Sequence, residues 1–600
     1  MSKSIDQLEY TNKMNGNICC ILSESDSNKI LNNKFKILNV NLKSIITVLA
    51  RNNNVKKIYL GVVKKKSNQK NKFSIKKIID FYTIKICDYI DDFTLSLKGQ
   101  KSGSEFELDP KDWNSFKSKL ISNIEMNQYS SGFYTNTYID DFESKDLEID
   151  MFLRLSGIKI ERGEILNNYS KLGILSLHHG DFSLNRGSGV GFWEIFYGEN
   201  SGITVQFLSN ELDGGKIITV SRLKTFFIPK QNRENIYAHT APTLEMAINK
   251  IYKFHGDISK IKNHNFIYKP YFKKILKKPF FLFRIFISFS LLIRTIIFFK
   301  FESIIWKILN LRKQSVRSGR WGVAITNNPN LKFDNWKHIQ EPIRGIQPKV
   351  DWHADPFFVK VKDYTFVLTE KWIQKESKGV IFYNQIIENN SQVDLSEGDI
   401  LLRNSMHLSF PFCFSRNGIS YMIPENGKNG CWLYQLQVTK NIKGRIFLKA
   451  KKLRQLLTAP AKDPCLIRVD NLDYLFVSEL DDFSSQVLHV FISDDITNNS
   501  LKKHPDSPLV IDHSIGRAAG RIFYDENLKK YLRPTQIGEK KYGGGVKFSE
   551  ILLTPENILL IPLDMDLIVE ENNNCYEKTH HIDKFSNLIA MDYKLKNNFF

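Results

Sequence analysis

Apolar runs and polar stretches alternate over the first 260 residues in a way that predicts strands separated by helices. Short apolar runs occur at Ile18–Leu22, Leu42–Leu49, Lys57–Val63 and Ile149–Leu155, and helix-like stretches lie between them. Such a strand–helix–strand order is typical of an α/β domain with a largely parallel sheet. We therefore predict an α/β domain at residues 1–260.

From Trp321 onward the pattern changes to short apolar runs paired across polar turns. Four segments repeat the order of an apolar strand, a polar turn and a second apolar strand. They begin at Asp355, Phe410, Asp463 and Ala519. A strand repeat of about 50 residues indicates a β-propeller, and the residues around His580–Asp592 would close a fifth blade. We predict a five-bladed β-propeller at residues 321–600, with a β-sandwich as the alternative.

The segment between these domains, residues 261–320, is basic and apolar at once. From Lys260 to Arg320 the sequence has 15 Lys or Arg residues and one acid, Glu302. The apolar run Pro279–Phe299 contains two arginines, each of which would cost about 2.5–3.5 kcal/mol at the centre of a bilayer. Its polar residues fall mostly on one face of a helix. This pattern favours a helix that lies in a membrane interface, with the basic residues on anionic head groups.

Two alternatives stay open for this segment, a helix packed between domains and a true membrane span. Nucleic acid is not an expected partner, because the aromatic residues form an apolar run and do not alternate with the basic residues as in a stacking platform. The net charge of the whole chain is +21, and about two thirds of that excess lies in this segment.

Composition excludes several other classes of protein. Hydrophobic residues make up 42% of the 600 residues, which excludes a disordered or fibrous chain. The seven cysteines form no CxxC pair, so neither a disulfide framework nor a zinc ribbon is indicated, and no metal site is predicted. The first residues contain no apolar core of a secretory signal. We expect a cytoplasmic protein attached peripherally to the inner face of the membrane.

One stretch of the first domain carries candidate chemistry. A predicted strand, Ile174–Leu177, delivers His178 to its carboxyl end, where open α/β sheets bind ligands. Asp213 follows 35 residues later on a loop with two glycines. A histidine paired with a carboxylate is suited to accept a proton from an attacking amine.

This stretch resembles the folate-dependent formyltransferase family, whose pattern is Asn-x-His, a loop ending in Arg-Gly, a Gly-hydrophobic-Thr strand and Asp-x-Gly. The matching positions are His178, Arg186-Gly187, Gly202-Ile203-Thr204 and Asp213-Gly214-Gly215, while Ser176 stands where the family has Asn. The resemblance implies a Rossmann-like domain that transfers a formyl group from 10-formyltetrahydrofolate to an amine.

The resemblance also implies roles for individual residues. It makes His178, Asp213 and Ser176 the catalytic residues. It assigns folate contacts to Gly157, Leu166 and Gly214, and substrate contacts to His179 and Arg186. His179 is also a second candidate for holding the formyl oxygen, where Ser176 replaces the family Asn.

The second domain contains the motifs HADPFF, HLSFPF, YMIPE, GRAAGRIF and LRPTQ. In these motifs it is similar to the N-terminal region of plant glucosamine inositolphosphorylceramide transferases. In Asp355-Pro356 and Asp463-Pro464 it more distantly resembles five-bladed propeller glycosidases such as arabinanases and levansucrases. Strand-start carboxylates and nearby arginines are suited to bind sugar hydroxyls. The candidates are Asp355, Glu425, Asp463, Arg517 and Arg533, with Arg521 and Gln536 beside them. Hydrolysis would use Asp355 as base or nucleophile and Glu425 or Glu479 as acid.

The sequence therefore predicts a multidomain protein, an α/β Rossmann-like formyltransferase domain followed by an all-β five-bladed propeller. The expected function is transfer of a formyl group to the amine of a nucleotide- or lipid-linked amino sugar in surface glycan synthesis. Its expected partners are that amino sugar and an anionic membrane surface. Two alternatives stay open: a catalytically silent glycan-binding protein, and a glycoside hydrolase acting through the propeller.

Overall fold

The computed structural model divides the chain into two compact units, one that contains the predicted α/β domain and one that contains the predicted propeller. It describes residues 14–34, 38, 40–65, 75–97, 108–131, 134–138, 148–155, 160–162, 164–166, 169–182, 190–209, 215–261, 285–286, 289–290, 292–293, 321–328, 333–340, 351–389, 392–442, 444–478, 487–537, 544–567 and 576–595.

The first unit alternates strands and helices. Its elements are β1 Asn17–Ser23, α1 Glu24–Leu31, α2 Val40–Arg51, β2 Lys57–Lys65, α3 Ile75–Leu97, α4 Pro110–Lys119, β3 Leu120–Ser131, β4 Tyr134–Tyr138, β5 Met151–Arg154, β6 Ile160–Arg162, a 3-10 helix at Glu164–Leu166, β7 Ile174–His178, α5 Phe192–Tyr197, β8 Ser201–Phe207, β9 Lys216–Leu223, α6 Pro229–Ala238 and α7 Thr240–Lys253. Three of the predicted apolar runs are strands, and Leu42–Leu49 lies in helix α2.

The strands form one mixed sheet of nine strands in the order β6-β4-β3-β2-β1-β5-β7-β8-β9. Strand β1 pairs in parallel with β2 and β5, and β5 pairs in parallel with β7. Strand β8 runs antiparallel to both of its neighbours. The α/β class is thus confirmed for the first unit, whereas its assignment as a Rossmann-like formyltransferase stays a prediction.

The central strand β1 is apolar from Ile18 to Leu22, and both faces of the sheet are covered there. Ile18, Cys20 and Leu22 join a core with residues of helices α2, α4 and α7, while Cys19 and Ile21 face a second core that includes the 3-10 helix. Parallel strands that are buried on both faces have such continuous apolar runs. The carboxyl ends of β1, β5 and β7 therefore meet at one edge of the sheet.

The second unit contains strands and 3-10 turns. Its strands are β10 Trp321–Thr326, β11 Lys337–His338, β12 Trp352–Val361, β13 Tyr364–Ile373, β14 Lys378–Asn389, β15 Gln392–Leu395, β16 Asp399–Leu402, β17 Ser409–Arg416, β18 Ile419–Glu425, β19 Cys431–Lys440, β20 Ile446–Leu457, β21 Lys462–Val469, β22 Leu472–Ser478, β23 Val487–Ser493, β24 Lys502–Lys503, β25 Val510–Ile511, β26 Phe523–Asp525, β27 Lys530–Gln536, β28 Val546–Leu553, β29 Ile558–Leu567, β30 Tyr576–Lys578, β31 Ile582–Phe585 and β32 Leu588–Leu595.

These strands form five separate sheets, each of which is one blade of a propeller. Blade 1 comprises β12–β16, blade 2 β17–β20, blade 3 β21–β25 and blade 4 β26–β29. Blade 5 combines β10 and β11 with β30–β32, and the register of β10 on β32 extends from Trp321 opposite Lys594 to Thr326 opposite Ile589. The predicted five-bladed propeller is confirmed, and the alternative of a β-sandwich is wrong because the strands do not form two facing sheets.

One partly buried arginine, Arg521, whose side chain is 16% exposed, connects four of the blades. It precedes β26 of blade 4, and its guanidinium forms an ion pair with Asp583 of blade 5 at 2.9 Å. The same group donates hydrogen bonds to the carbonyl oxygens of Cys413 in blade 2 (2.6 Å) and Phe358 in blade 1 (3.0 Å). Arg521 thus satisfies backbone acceptors of two blades and a carboxylate of a third, so it stabilises the centre of the ring.

The predicted membrane segment lies almost entirely outside the described residues. Among its described positions, Phe286 is 65% exposed, Phe289 52% and Ile293 45%. In the part of the chain that the structure describes, no helix has the length and apolar content needed to cross a membrane. Interfacial attachment of residues 261–320 stays a prediction, as do the domain boundaries on either side.

Candidate functional site

The first strands of blades 1, 2 and 3 each contain a β-bulge at a residue followed by proline. The register shifts at Asp355-Pro356, Phe410-Pro411 and Asp463-Pro464. The residue before each proline has positive φ, +49°, +45° and +47°. A non-glycine residue in this region is strained by about 1–3 kcal/mol, and bulges reorient side chains next to functional sites. The bulges therefore account for the direction of the two aspartates, which leave the regular alternation of their strands.

Asp355 of blade 1 is 6% exposed and contacts a histidine–aspartate pair of blade 5. His580 Nε2 lies 3.3 Å from Asp355 Oδ1, and His580 Nδ1 lies 2.9 Å from Asp592 Oδ2. Asp592 Oδ1 in turn accepts hydrogen bonds from the backbone N–H groups of His580 and His581. Asp592 therefore fixes the His580 ring, and the ring fixes Asp355.

The surroundings of Asp355 keep it ionised. Burial alone would raise its pKa, but the hydrogen bond from His580 and the electrostatic attraction of His580, His581 and Arg517 outweigh burial and lower the pKa to about 2. Asp355 is consequently a carboxylate over the whole physiological range of pH.

The pKa values of two neighbouring glutamates, Glu370 and Glu425, are raised instead of lowered. Glu370 pairs with Ala354 and Glu425 pairs with Ser409, so both residues occupy the same position of the second strand in successive blades. Burial and the charges of Asp355 and Glu425 raise the pKa of Glu370 well above its usual value. Burial and the charge of Asp463 raise the pKa of Glu425 to about 7, despite the opposing effect of Arg517. The site therefore holds an ionised carboxylate beside protonated carboxyl groups.

The predicted substrate ligands Asp463, Arg517 and Arg533 make contacts with the protein itself. Arg517 forms a bidentate ion pair with Asp463, with N–O distances of 2.7 and 2.8 Å. The backbone N–H of Asp463 donates to Glu425 Oε2 at 3.2 Å. Arg533 is 1% exposed and donates to the carbonyl oxygens of Ile515 and Gly516, which directly precede Arg517. Arg533 thus supports the Arg517 segment, and contact of either arginine with a substrate stays a prediction.

The structure brings together Asp355, Glu425, Asp463 and Arg517, four of the candidate sugar ligands, and adds residues that sequence reasoning missed. Glu370 could have been found because its TEKW segment aligns with the PEN segment that contains Glu425. His580 and Asp592 are more than 220 residues distant from Asp355 in the chain, so only the ring closure reveals their contact. Glu479, the other predicted acid, lies outside the described residues.

Asp355, His580 and Asp592 also form a group that could hold a metal ion, since their ligand atoms lie within 4.8 Å of one another. However, both ring nitrogens of His580 already face carboxylate oxygens, at 3.3 and 2.9 Å. As placed, the ring therefore links two carboxylates.

In the first unit, strand β7 carries Ser176 and His178 to its carboxyl end, as predicted. Ser176 lies opposite Arg154 of β5 and Gln206 of β8, and His178 lies opposite Thr204. The His178 ring stacks on Phe182 with centroids 4.4 Å apart. Ser176, His178, Thr204 and Gln206 therefore share one face of the sheet.

The remaining predicted residues of the first unit divide into two groups. His179 Nε2 lies 3.1 Å from Thr240 Oγ1, and burial, with a smaller effect of His178, lowers the pKa of His179 to about 4. Leu166 is 3% exposed and packs in the core beside Ile165. Their roles toward substrate and folate stay predictions. The other predicted residues lie outside the described part of the chain: Gly157, Arg186, Asp213 and Gly214.

Comparison with known proteins relates the second unit to a plant family. Residues 340–589 match the family described as glucosamine inositolphosphorylceramide transferase 1, N-terminal. The transferase 1 of Oryza sativa subsp. indica is 27% identical over 277 residues, which are 44% of this chain and 34% of the relative. That of Arabidopsis thaliana is 28% identical over 276 residues, 44% of this chain and 33% of the relative. The chain thus spans about a third of the length of the curated relatives that it matches.

Solved structures similar to part of this chain include GH43 enzymes. A GH43 β-1,3-galactosidase with galactodeoxynojirimycin covers 38% of this chain and 83% of its own, at 7% identity and a TM-score of 0.28. The GH43 enzyme of Xanthomonas citri with xylotriose covers 40% and 86%, at 9% identity and a TM-score of 0.26. Scores of this size carry no argument about substrate or mechanism. The family match bears on the second unit, so the formyltransferase resemblance of the first unit stays a prediction. The propeller of this chain resembles the N-terminal region of glucosamine inositolphosphorylceramide transferases.

Proposed function

We propose that the propeller breaks or transfers glycosidic bonds, with Asp355 as the base and Glu425 as the acid. The observation that carries this proposal is the separation of pKa values among buried carboxyl groups of adjacent blades, about 2 for Asp355 and about 7 for Glu425. Paired titratable groups whose pKa values are driven apart by their surroundings are typical of acid–base sites.

In this mechanism Glu425 donates its proton to the oxygen of the leaving sugar as the bond from that oxygen to the anomeric carbon breaks. Asp355 accepts the proton of the attacking hydroxyl group, and a new bond forms between that oxygen and the anomeric carbon. Water as the attacking group gives hydrolysis, and a sugar hydroxyl gives transfer. The His580–Asp592 pair holds Asp355 in place, while the Asp463–Arg517 pair lies beside Glu425 and adjusts its acidity.

The proposal is tested by incubating the full chain with a panel of 4-nitrophenyl glycosides and oligosaccharides. We expect release of nitrophenol or sugar from at least one glycoside, and a transfer product when a sugar acceptor is added. Failure to convert any glycoside in the panel, with or without acceptor, would count against the proposal.

The rate should depend on pH through Glu425. The acid must be protonated, and burial together with Asp463 raises its pKa to about 7, so kcat/KM is expected to fall as the pH rises above about 7. No fall is expected on the acidic side until the pH approaches the pKa of Asp355, about 2. The measurement is a pH profile of kcat/KM for the wild type and for Glu425→Gln on a glycoside with a poor leaving group, which needs protonation by the acid. If kcat/KM of Glu425→Gln still fell above about pH 7, the group whose titration causes the fall would be another residue.

We propose as a second function that the first unit transfers a formyl group to the amine of a nucleotide- or lipid-linked amino sugar. The observation that favours it is the polar face at the carboxyl end of β7, where open α/β sheets bind ligands. On this face the Gln206 Oε1 atom is buried and has no hydrogen-bond partner among the described residues. Such an acceptor fits a ligand that carries N–H donors, as folates do. 10-Formyltetrahydrofolate would supply the formyl carbon.

In this second function His178 accepts a proton from the attacking amine, and Ser176 donates a hydrogen bond toward the formyl oxygen. As the new C–N bond forms, the bond from the formyl carbon to the folate nitrogen breaks, and His178 returns the proton to that nitrogen. The family's Asp is Asp213 here, outside the described residues, and its part in holding His178 follows from the resemblance.

Replacing His178 with alanine is expected to lower formyl transfer by about 10²–10⁴-fold, the usual contribution of a general base. The measurement is formation of N-formyl product from 10-formyltetrahydrofolate and a panel of nucleotide-linked amino sugars. Ser176→Asn, which restores the family residue, should raise the rate, and His255→Gln on an exposed histidine is the matched control. Equal rates for wild type and His178→Ala would contradict the assignment.

A further inference from the structure

Blade 1 has a groove on the side that faces away from blade 2. We call this cavity of about 770 Å³ the flank groove. Its walls include Asp351 and Lys371 at the ends of β12 and β13, Phe382 and Asn384 of β14, Gly398 and Gln340. The groove lies at the end of the blade where β12 begins and β13 ends, which is also the end that carries Asp355 and Glu370.

We call the carboxyl groups of Asp355, Glu370 and Glu425 the carboxyl cluster. The flank groove is separate from this cluster because successive residues of a strand point to opposite faces. Glu370 contributes to the cluster, and the next residue of β13, Lys371, lines the groove. In the same way His353, which pairs with Lys371, lines the groove and not the cluster. The two strands thus separate the groove from the proposed reaction site.

The floor of the flank groove contains a buried acceptor that lacks a partner. Asn384 is 7% exposed, and its Nδ2 donates to the Ser396 carbonyl oxygen at 2.9 Å. This hydrogen bond fixes the amide orientation and leaves Asn384 Oδ1 buried, with no partner among the described residues. A buried acceptor without a partner is costly, so a ligand that brings a hydroxyl or N–H donor there gains a favourable hydrogen bond.

Because residue 398 is a glycine, its backbone can pack directly against the floor of the groove. A Cβ at this position would lie 2.3 Å from Phe382 Cε1 and 2.6 Å from Asn384 Nδ2. Only a residue without a side chain allows the backbone to approach the aromatic ring and the amide so closely. The floor is therefore a flat surface of one ring, one amide and backbone.

The charges that line the flank groove are balanced, because the carboxylates of Asp351 and Glu397 are matched by the ammonium groups of Lys371 and Lys375. Lys371 Nζ lies 4.7 Å above the Phe382 ring and 3.9 Å from Asp351 Oδ2. Glu397, also on the groove, lies 3.4 Å from Arg445. Burial and the charge of Lys371 lower the pKa of His353 to about 3, so that this ring is neutral. A strongly anionic ligand such as a phosphate would find no excess of positive charge here.

We propose that the flank groove is a second saccharide-binding site, which holds a neutral sugar without reacting with it. Phe382, which lines the groove, offers an apolar contact for the C–H side of a pyranose. Asn384 Oδ1 and the Asp351 carboxylate accept hydrogen bonds from sugar hydroxyls, and Lys371 donates one. This proposal does not depend on catalysis by the carboxyl cluster, because it concerns binding alone.

The test is saturation-transfer NMR and calorimetry on the full chain with glucose, galactose and N-acetylglucosamine as neutral probes and inorganic phosphate as the anionic comparison. We expect binding of at least one neutral sugar and none of phosphate. Asn384→Ala and Lys371→Met should each weaken the binding at least tenfold. Asp355→Asn, which alters the carboxyl cluster, should retain binding at the groove.

Three results would overturn the proposal. The first is that the wild type binds none of the neutral sugars. The second is that binding survives in both groove variants, and the third is that it disappears only in Asp355→Asn, which would place the sugar at the carboxyl cluster. Because Asn384 is buried, its variant is checked by thermal unfolding. If it does not fold, the partly exposed Lys371→Met variant decides the outcome.

Discussion

Replacing Asp355 with asparagine is expected to lower glycoside turnover by about 10²–10⁴-fold, because the amide cannot accept the proton of the attacking hydroxyl. Glu425→Gln should cause a loss of similar size on glycosides with poor leaving groups. The two variants should differ on 2,4-dinitrophenyl glycosides, whose leaving group needs no proton. Glu425→Gln should recover most of its rate on these substrates, whereas Asp355→Asn should not. The measurement is kcat/KM for each variant on the two classes of substrate.

The matched control for these variants is Asp394→Asn, which removes a carboxylate that is 56% exposed and paired with Lys337. Its turnover should equal that of the wild type. Full turnover in Asp355→Asn would exclude Asp355 as the base. If Asp355→Asn instead recovered its kcat/KM on the activated substrate, Asp355 would be the acid and Glu425 the base.

Replacing Arg521 with methionine is expected to lower the free energy of unfolding of the propeller by about 3–5 kcal/mol. The Asp583 carboxylate, which is 0% exposed, would lose its ion-pair partner, and the carbonyl oxygens of Cys413 and Phe358 would each lose a donor. The measurement is chemical denaturation followed by tryptophan fluorescence. The double variant Arg521→Met with Asp583→Asn should recover part of the loss, because it no longer leaves a buried charge without a partner.

The control for this variant is Arg468→Met. Arg468 pairs with Asp473, but its side chain is 36% exposed and Asp473 keeps a second partner, Arg416. Because Asp473 keeps this partner and Arg468 is partly exposed, we expect a loss of about 0–1 kcal/mol, as for an exposed ion pair. If Arg468→Met and Arg521→Met lowered the free energy of unfolding by similar amounts, the Arg521 contacts would stabilise the propeller no more than those of Arg468.

The sequence predicted those parts of the structure that depend on neighbouring residues. Strand length, turn residues and the repeat around Asp355 and Asp463 were sufficient for the propeller, because blades 1 to 4 are each formed by consecutive strands and only blade 5 joins distant segments. His178 was correctly expected at the end of a strand for the same reason. Asp355 and Glu425 were named from the sequence as candidate sugar ligands, but only the folded ring shows that their carboxyl groups come close to the same neighbour, Glu370.

The sequence could not assign the roles of residues whose partners are distant in the chain. Arg517, Arg521 and Arg533 look alike as polar residues near a turn, yet Arg517 pairs with Asp463, Arg521 joins four blades and Arg533 is buried behind the loop. Which role each arginine has depends on Asp583 and on carbonyl groups of other blades. The Asp592–His580–Asp355 contacts likewise exist only after the ring has closed.

Because β10 pairs with β32, blade 5 cannot form during synthesis until the ribosome has made β32. There are 263 positions from Thr326 at the end of β10 to Ile589 near the start of β32. At about 5–20 residues per second, the ribosome needs about 13–53 s to make the partner strand. Throughout that interval β10 presents an unpaired backbone edge, and Val323 and Ile325, both 0% exposed in the closed ring, lack their final cover. Blade 5 is therefore completed only after β32 has emerged, and until then the free edge of β10 is open to pairing with another strand.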